Sequence, residues 1–117
     1  MIARATAATY AGWFRCLADP TRILILNLLA TERRPMSVGE IVAAVDVGQS
    51  TVSHHLKILA ETGFVLVERR RASSYFRVNE RCVECFPSAA EIVMGKVAVP
   101  NEEPARCVPP WLAESAA

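Results

Sequence analysis

Apolar positions follow a helical period through the first sixty residues and a strand period for the next fifteen. Tyr10, Trp13, Phe14 and Leu17 recur at helical spacing among alanines, which predicts a first helix able to pack closely against another surface. It stops near Asp19-Pro20. Proline disfavours helical geometry in the residue before it but suits the first turn of a new helix, whose free amides Asp19 caps. Ile23, Leu24, Leu26, Asn27, Leu28 and Leu29 predict a second helix that is apolar on most sides and therefore central. Thr31 to Pro35 reads as a polar turn. Ser37 with Glu40 forms a capping box, backed by Val38, Ile41, Val42 and Val45, so a short third helix follows. Asp46, Val47 and Gly48 interrupt the pattern. A fourth helix starts at Gln49 or Ser50, with Val52, Leu56, Ile58 and Leu59 on one side and Ser53, His54 and Lys57 on the other. Gly63 ends it as a left-handed terminator.

Beyond Gly63 the run Phe64 to Val78 alternates around Arg69, Arg70, Arg71, Ala72, Ser73 and Ser74, a β-hairpin with a basic tip. Asn79 caps a last helix from Glu80. Pro87 is expected to break that helix into a turn through Cys85 and a longer piece from Ser88 to about Met94. Pro100, Pro104, Pro109 and Pro110 predict an extended tail. The fold class is mainly α with a small β-hairpin (α+β), arranged as a winged helix-turn-helix. Residues 1–97 are expected to form the DNA-binding and dimerisation domain and residues 98–117 a Pro-rich C-terminal tail.

A chain of 117 residues with 52% hydrophobic and 21% charged side chains buries a real core but accommodates one ordinary domain, which excludes a multidomain enzyme. The formal net charge of +1 hides a segregation. Residues 1–46 carry +1, residues 47–79 carry +3 and residues 80–117 carry −3. The basic centre coincides with the fourth helix and the hairpin, as suits double-stranded DNA. A helix fits the major groove, where Gln49, Ser50, Thr51, Ser53, His54, His55 and Lys57 are the candidates for base edges and phosphates. Arg69, Arg70, Arg71, Ser73 and Ser74 lie where a wing would reach phosphates or a minor groove. A single reader of this size contacts few base pairs, so a homodimer on two half-sites is expected. The alanine-rich first helix and Ala89, Ala90, Ile92, Val93 and Val97 of the last are the expected interface.

Two stretches carry a family likeness. Leu17-Ala18-Asp19-Pro20-Thr21-Arg22 leading into Ile23 to Leu29, and Gln49-Ser50-Thr51-Val52-Ser53-His54-His55-Leu56-Lys57-Ile58-Leu59 followed by Gly63, strongly resemble the ArsR/SmtB family of bacterial metal-sensing repressors. The likeness runs from about Trp13 to Val78. It implies a homodimeric winged-helix repressor that holds an operator when metal-free and releases it when a metal or metalloid binds. Some members sense no metal. One kind of arsenic sensor in the family carries Cys-Val-Cys in the third helix; Ser37, Val38 and Gly39 stand there in this chain. One kind of zinc sensor uses Asp and His pairs on the last helix, whereas His54 and His55 are this chain's two histidines.

Sulfur remains. Cys82 and Cys85 stand about one turn apart on one helix face, Cys107 sits in the tail and Cys16 ends the first helix. Cys82 and Cys85 with Cys107, and less readily Cys16, would make a soft, low-coordinate site. Such a site suits As(III), Hg(II), Cd(II) or Pb(II) as inducer, with As(III) preferred on the resemblance; no organic cofactor is expected. A thiol-redox repressor with a Cys82–Cys85 disulfide and a metal-independent winged-helix regulator are the alternatives. A Cys-x-x-Cys oxidoreductase is more remote, because the pattern contains no βαβ crossover. The chain is therefore expected not to be an enzyme. Apolar runs are shorter than a membrane span and Thr6, Thr9, Gly12 and Arg15 break any secretory core, so a bacterial cytoplasmic location with reduced thiols is expected.

Overall fold

The computed structural model describes residues 1–96, except for the side chains of Val83, Glu84, Cys85, Pro87 and Ser88. The elements in chain order are α1 (Arg4–Cys16), α2 (Pro20–Glu32), β1 (Met36–Ser37), α3 (Val38–Val45), α4 (Gln49–Thr62), β2 (Val65–Arg70), β3 (Ser73–Val78) and α5 (Glu80–Val93). The architecture is mostly helical with a small antiparallel sheet, and α3 and α4 form the helix-turn-helix with β2 and β3 as the wing. No helix among the described residues is long and apolar enough to cross a membrane.

The helix boundaries follow the chemistry of their first and last turns. The Asp19 carboxylate accepts from the amides of Thr21 at 2.8 Å and Arg22 at 3.1 Å, satisfying two donors that the first turn of α2 leaves free. Ser37 and Glu40 complete the reciprocal capping box. Asp46 closes α3 at φ 55°, a left-handed conformation that Asp tolerates better than most residues. Gly63 closes α4 at φ 90°, where a glycine avoids the clash a side chain would bring.

The core lies where α2, α3, α4 and the sheet meet. Ile25, Leu29, Ile41, Val52, Leu56, Leu59, Phe64 and Val65 are its largest fully buried side chains, each worth about 1.5–3 kcal/mol by burial. The second helix is less enclosed than its composition predicts, since Ile23 and Leu24 are exposed on its outer side. The expected hairpin gains a third strand, giving the order β1-β3-β2. Met36 pairs with Phe76 and Ser37 with Tyr75. Two residues are too short to display a period, and the capping signal at Ser37 masks the strand that precedes it.

Pro87 does not break the last helix, which is continuous from Glu80 to Val93. Proline in a helix interior costs about 3 kcal/mol. Against that, Phe86 packs its ring against Trp13, Phe14 and Phe64 at centroid distances of 6.3, 5.4 and 5.5 Å, and Ala89 is buried on the other side of the proline. Each aromatic pair adds about 0.5–1.5 kcal/mol beyond its area, so packing on both flanks offsets the break.

Asn79 joins wing to last helix. Its side-chain carbonyl accepts from the Arg81 amide at 3.2 Å and its amide group donates to the Gly63 carbonyl at 2.8 Å, while its backbone N–H reaches the Phe64 carbonyl. Replacing Asn79 by Ala removes a helix cap and a buried bond. The expected loss is about 2 kcal/mol in urea unfolding; a loss below about 0.5 kcal/mol, the range of ordinary surface changes, would contradict this role.

Candidate nucleic-acid interface and thiol corner

Helical phase divides α4 into two faces. Val52, Leu56 and Leu59 are buried, whereas Gln49, Ser50, Thr51, Ser53, His54 and Lys57 are exposed. These six polar side chains therefore form one solvent-facing surface on a helix anchored from behind. His55 departs from the expected set, being 9% exposed. Arg22 Nη1 lies 3.1 Å from His55 Nδ1. A guanidinium only donates, so Nδ1 accepts and the ring proton sits on Nε2, which faces Asp19 at 3.9 Å. The signal for this was in the spacing: position 55 falls between Val52 and Leu59 on the buried stripe.

The same Arg22 donates from Nε to the Cys16 carbonyl. One guanidinium thus ties the end of α1 to the middle of α4, and Asp19 holds the start of α2 beside both. The amide of Arg22, foremost, holds the Asp19 carboxyl below the usual carboxylate range, assisted by the Thr21 amide and the Arg22 charge.

On the wing, Arg69, Arg70, Arg71 and Ser73 are exposed and Ser74 is half-buried. Arg71 turns the hairpin at φ 56°. Glu68 holds Arg70 at 3.0 Å and Arg77 at 2.8 Å, and Arg70 also covers the Tyr75 ring. Among the described residues no ion pair engages Arg69 or Arg71, which leaves both guanidinium groups to solvent.

Two of the four expected sulfurs, those of Cys16 and Cys82, lie among the described residues. Cys107 lies outside the described residues and so does the side chain of Cys85. Cys82 is half-buried and its thiol donates to the Gly63 carbonyl at 3.3 Å. Burial pushes that thiol up to about 11, the Arg81 charge opposes the rise, and the nearby sulfur of Cys16 adds to it. Cys16 is buried in the core. Burial raises its value too, with the Thr62 hydroxyl and Arg22 pulling it partway back. Cys82 thus sits against the Gly63 carbonyl that follows α4, and Cys16, from the other end of the sequence, lies near the Thr62 hydroxyl in its last turn. Among the described residues no three His, Cys, Asp or Glu side chains gather as a metal cage. The burial of Cys16 was legible in its spacing, since it follows Tyr10 and Trp13 on the core stripe of α1.

The sequence profile of the "bacterial regulatory protein, arsR family" matches residues 19–66. An uncharacterized HTH-type transcriptional regulator of Methanocaldococcus jannaschii is 36% identical over 68% of this chain and 89% of its own length. A transcriptional repressor, an SmtB homolog of Synechocystis sp., is 34% identical over 66% of this chain and 57% of its own length. An arsenic resistance transcriptional regulator of Pseudomonas putida is 35% identical, covering 56% of this chain and 51% of that one. The chain thus spans little more than half of the latter two. A Mycobacterium bovis structure, described as a homodimeric winged helix-turn-helix DNA-binding domain of a possible ArsR-family regulator, superposes with a TM-score of 0.64. It is 25% identical and covers 85% of this chain and 92% of that one.

The Asp19 cap has a pH signature. A carboxyl held below its unfolded value stabilises the fold above that unfolded value, and the contribution disappears as pH falls through the folded value. Asp19→Asn keeps an acceptor at the cap without the charge. The wild type is therefore expected to lose more stability than this variant between neutral pH and pH ~3, below the unfolded Asp value, as read by thermal melting. Parallel losses in the two chains would show that the cap charge contributes nothing.

Proposed function

The chain belongs to the arsR family of bacterial regulatory proteins, and from that premise we propose that it is a homodimeric repressor that releases its operator when a thiophilic metal or metalloid is held by its cysteine sulfurs. The observation that carries the reading is the division of α4. One face is locked into the core by Val52, Leu56 and Leu59, and the other presents Gln49, Ser50, Thr51, Ser53, His54 and Lys57 to solvent. A rigidly held polar helix is what direct readout of a major groove requires. His55 acts as a positioning residue within the Arg22 and Asp19 network. Arg69, Arg70, Arg71, Ser73 and Ser74 supply the wing's contacts to the DNA backbone.

The second subunit docks on α1 and α5. Phe14 on α1, Val93 on α5 and Met94 just after it are exposed, and a surface of large apolar side chains fits an interface between copies. The homodimeric description of the mycobacterial neighbour supports this arrangement. Residues 1–97 form the binding and dimerisation unit, residues 98–117 the tail, and the protein works in the cytoplasm, where its thiols stay reduced.

Cys82 anchors the inducer site, sharing α5 with Cys85; Cys107 is the tail's candidate ligand and Cys16 the first helix's. Sulfur donors select As(III), Hg(II), Cd(II) or Pb(II) over hard cations. The name of the Pseudomonas relative favours As(III). Binding of inducer and of DNA oppose each other through one coupling free energy, so each weakens the other.

Fluorescence anisotropy with an operator selected from random double-stranded DNA tests the reading. Arsenite is expected to release the wild type, and an operator complex indifferent to arsenite, Hg(II), Cd(II) and Pb(II) would overturn the sensor. The paired substitution Arg69→Ala/Arg71→Ala should weaken binding to specific and unrelated DNA alike and flatten the dependence of log affinity on log salt by about 1 for each phosphate no longer neutralised. An unchanged salt slope would remove the wing from the interface.

A further inference from the structure

Three consecutive arginines read as one basic tip along the sequence, yet the strand pairing of the wing divides them. Successive side chains of a strand point to opposite faces, and residues paired across an antiparallel ladder share a face. Glu68 pairs with Tyr75, Arg70 with Ser73 and Leu66 with Arg77, so Glu68, Arg70, Tyr75 and Arg77 stand on one face of the wing. Arg69 pairs with Ser74 on the opposite face, and Arg71 occupies the turn at φ 56°.

On the first face the cations are engaged. Glu68 Oε2 lies 3.0 Å from Arg70 Nη2, and Glu68 Oε1 lies 2.8 Å from Arg77 Nε. The Arg70 guanidinium also stands 5.1 Å from the centre of the Tyr75 ring, within the range of cation–π attraction. Each oxygen of a single carboxylate thus holds one guanidinium. Four arginines lie between Val65 and Val78, where Glu68 is the one acidic residue. Exposed ion pairs add little to stability, so bracing the hairpin is a weak reason for a carboxylate at this place. Beside a polyanion the same carboxylate matters more, because a phosphate has to displace it before it gains either guanidinium.

We propose that Glu68 is a specificity-determining residue: it competes with DNA phosphates for Arg70 and Arg77, and so lowers the affinity for unrelated DNA more than that for the operator. This role rests on the wing being a DNA contact, as proposed above, and divides its cations into a free pair, Arg69 and Arg71, and a restrained pair. Sequence-independent binding consists essentially of phosphate neutralisation. Unrelated DNA has no fixed register on the protein, so it can settle wherever a free cation is offered. The operator's register is fixed by the base edges that the exposed face of α4 meets, so its phosphates gain only from guanidinium groups they already face. Restraining two arginines therefore penalises the wrong sequences most, which is how a repulsive group sharpens selection.

Fluorescence anisotropy of the full chain across a salt series, on the selected operator and on an unrelated duplex, is the test. On unrelated DNA, Glu68→Gln is expected to steepen the fall of log affinity with log salt by about 1 for each phosphate newly neutralised. Its affinity should then drop about fourfold more than the wild type's between about 50 and 200 mM salt for each such phosphate. The ratio of operator to unrelated affinity should fall. Glu68→Gln/Arg70→Gln/Arg77→Gln should lose the added slope, because the released guanidinium groups are the ones removed; circular dichroism verifies the folding of both variants. A Glu68→Gln slope equal to the wild type's, an equal gain on both DNAs, or an added slope that persists without Arg70 and Arg77 would each overturn this role while leaving the wing in the interface. A salt slope unchanged in Arg69→Ala/Arg71→Ala would instead count against the wing as a DNA contact.

Discussion

The Gly63 carbonyl is the point on which the rest of the molecule depends. It directly follows the helix that carries the DNA-facing side chains, whose end the Gly63 N–H closes, and it receives one bond from Asn79 and another from Cys82. Both donors belong to the segment that begins α5. The end of the reading helix, the exit of the wing and the start of the last helix are therefore fixed by one acceptor, in a conformation open to glycine at φ 90°. A carbonyl buried at a helix end needs partners, and the partners here are side chains whose own chemistry can change.

A second link approaches the same helix from the other side. Asp19 caps α2 and faces His55, and Arg22 joins His55 to the Cys16 carbonyl at the end of α1. The wing adds a third, more local order, with Glu68 bracing Arg70 and Arg77. Coupling between a thiol site and a DNA face needs a physical element that both bias. In this chain α4 is that element, pinned near its middle by Arg22 and at its end by Cys82.

Much of this architecture was legible in local chemistry. Asp19 before Pro20, Ser37 three residues before Glu40, Gly63 after an amphipathic run and Asn79 before Glu80 each announce a helix terminus through donors and acceptors within four residues. What escaped was non-local or overruled. β1 exists because Met36 and Ser37 find Phe76 and Tyr75, on a strand distant in sequence. Pro87 stands inside a helix because Phe86 is held by three aromatic rings from other parts of the chain. His55 looked like a surface residue in a polar run until its phase with Val52 and Leu59 was weighed. The spacing along α5 pairs Cys82 with Cys85, whose side chain lies outside the described residues.

In the proposed sensing mechanism, a change at the Cys82 sulfur reaches the DNA face through the end of α4. Hydrogen exchange of the full chain with and without arsenite measures it most directly, because amide protection reports local opening. Faster exchange is expected at the end of α4, at the Gly63 and Phe64 amides that bond to Ala60 and Leu59, together with altered protection in α1 and α5. Altered protection confined to α1 and α5, with the end of α4 unchanged while DNA is released, would contradict it.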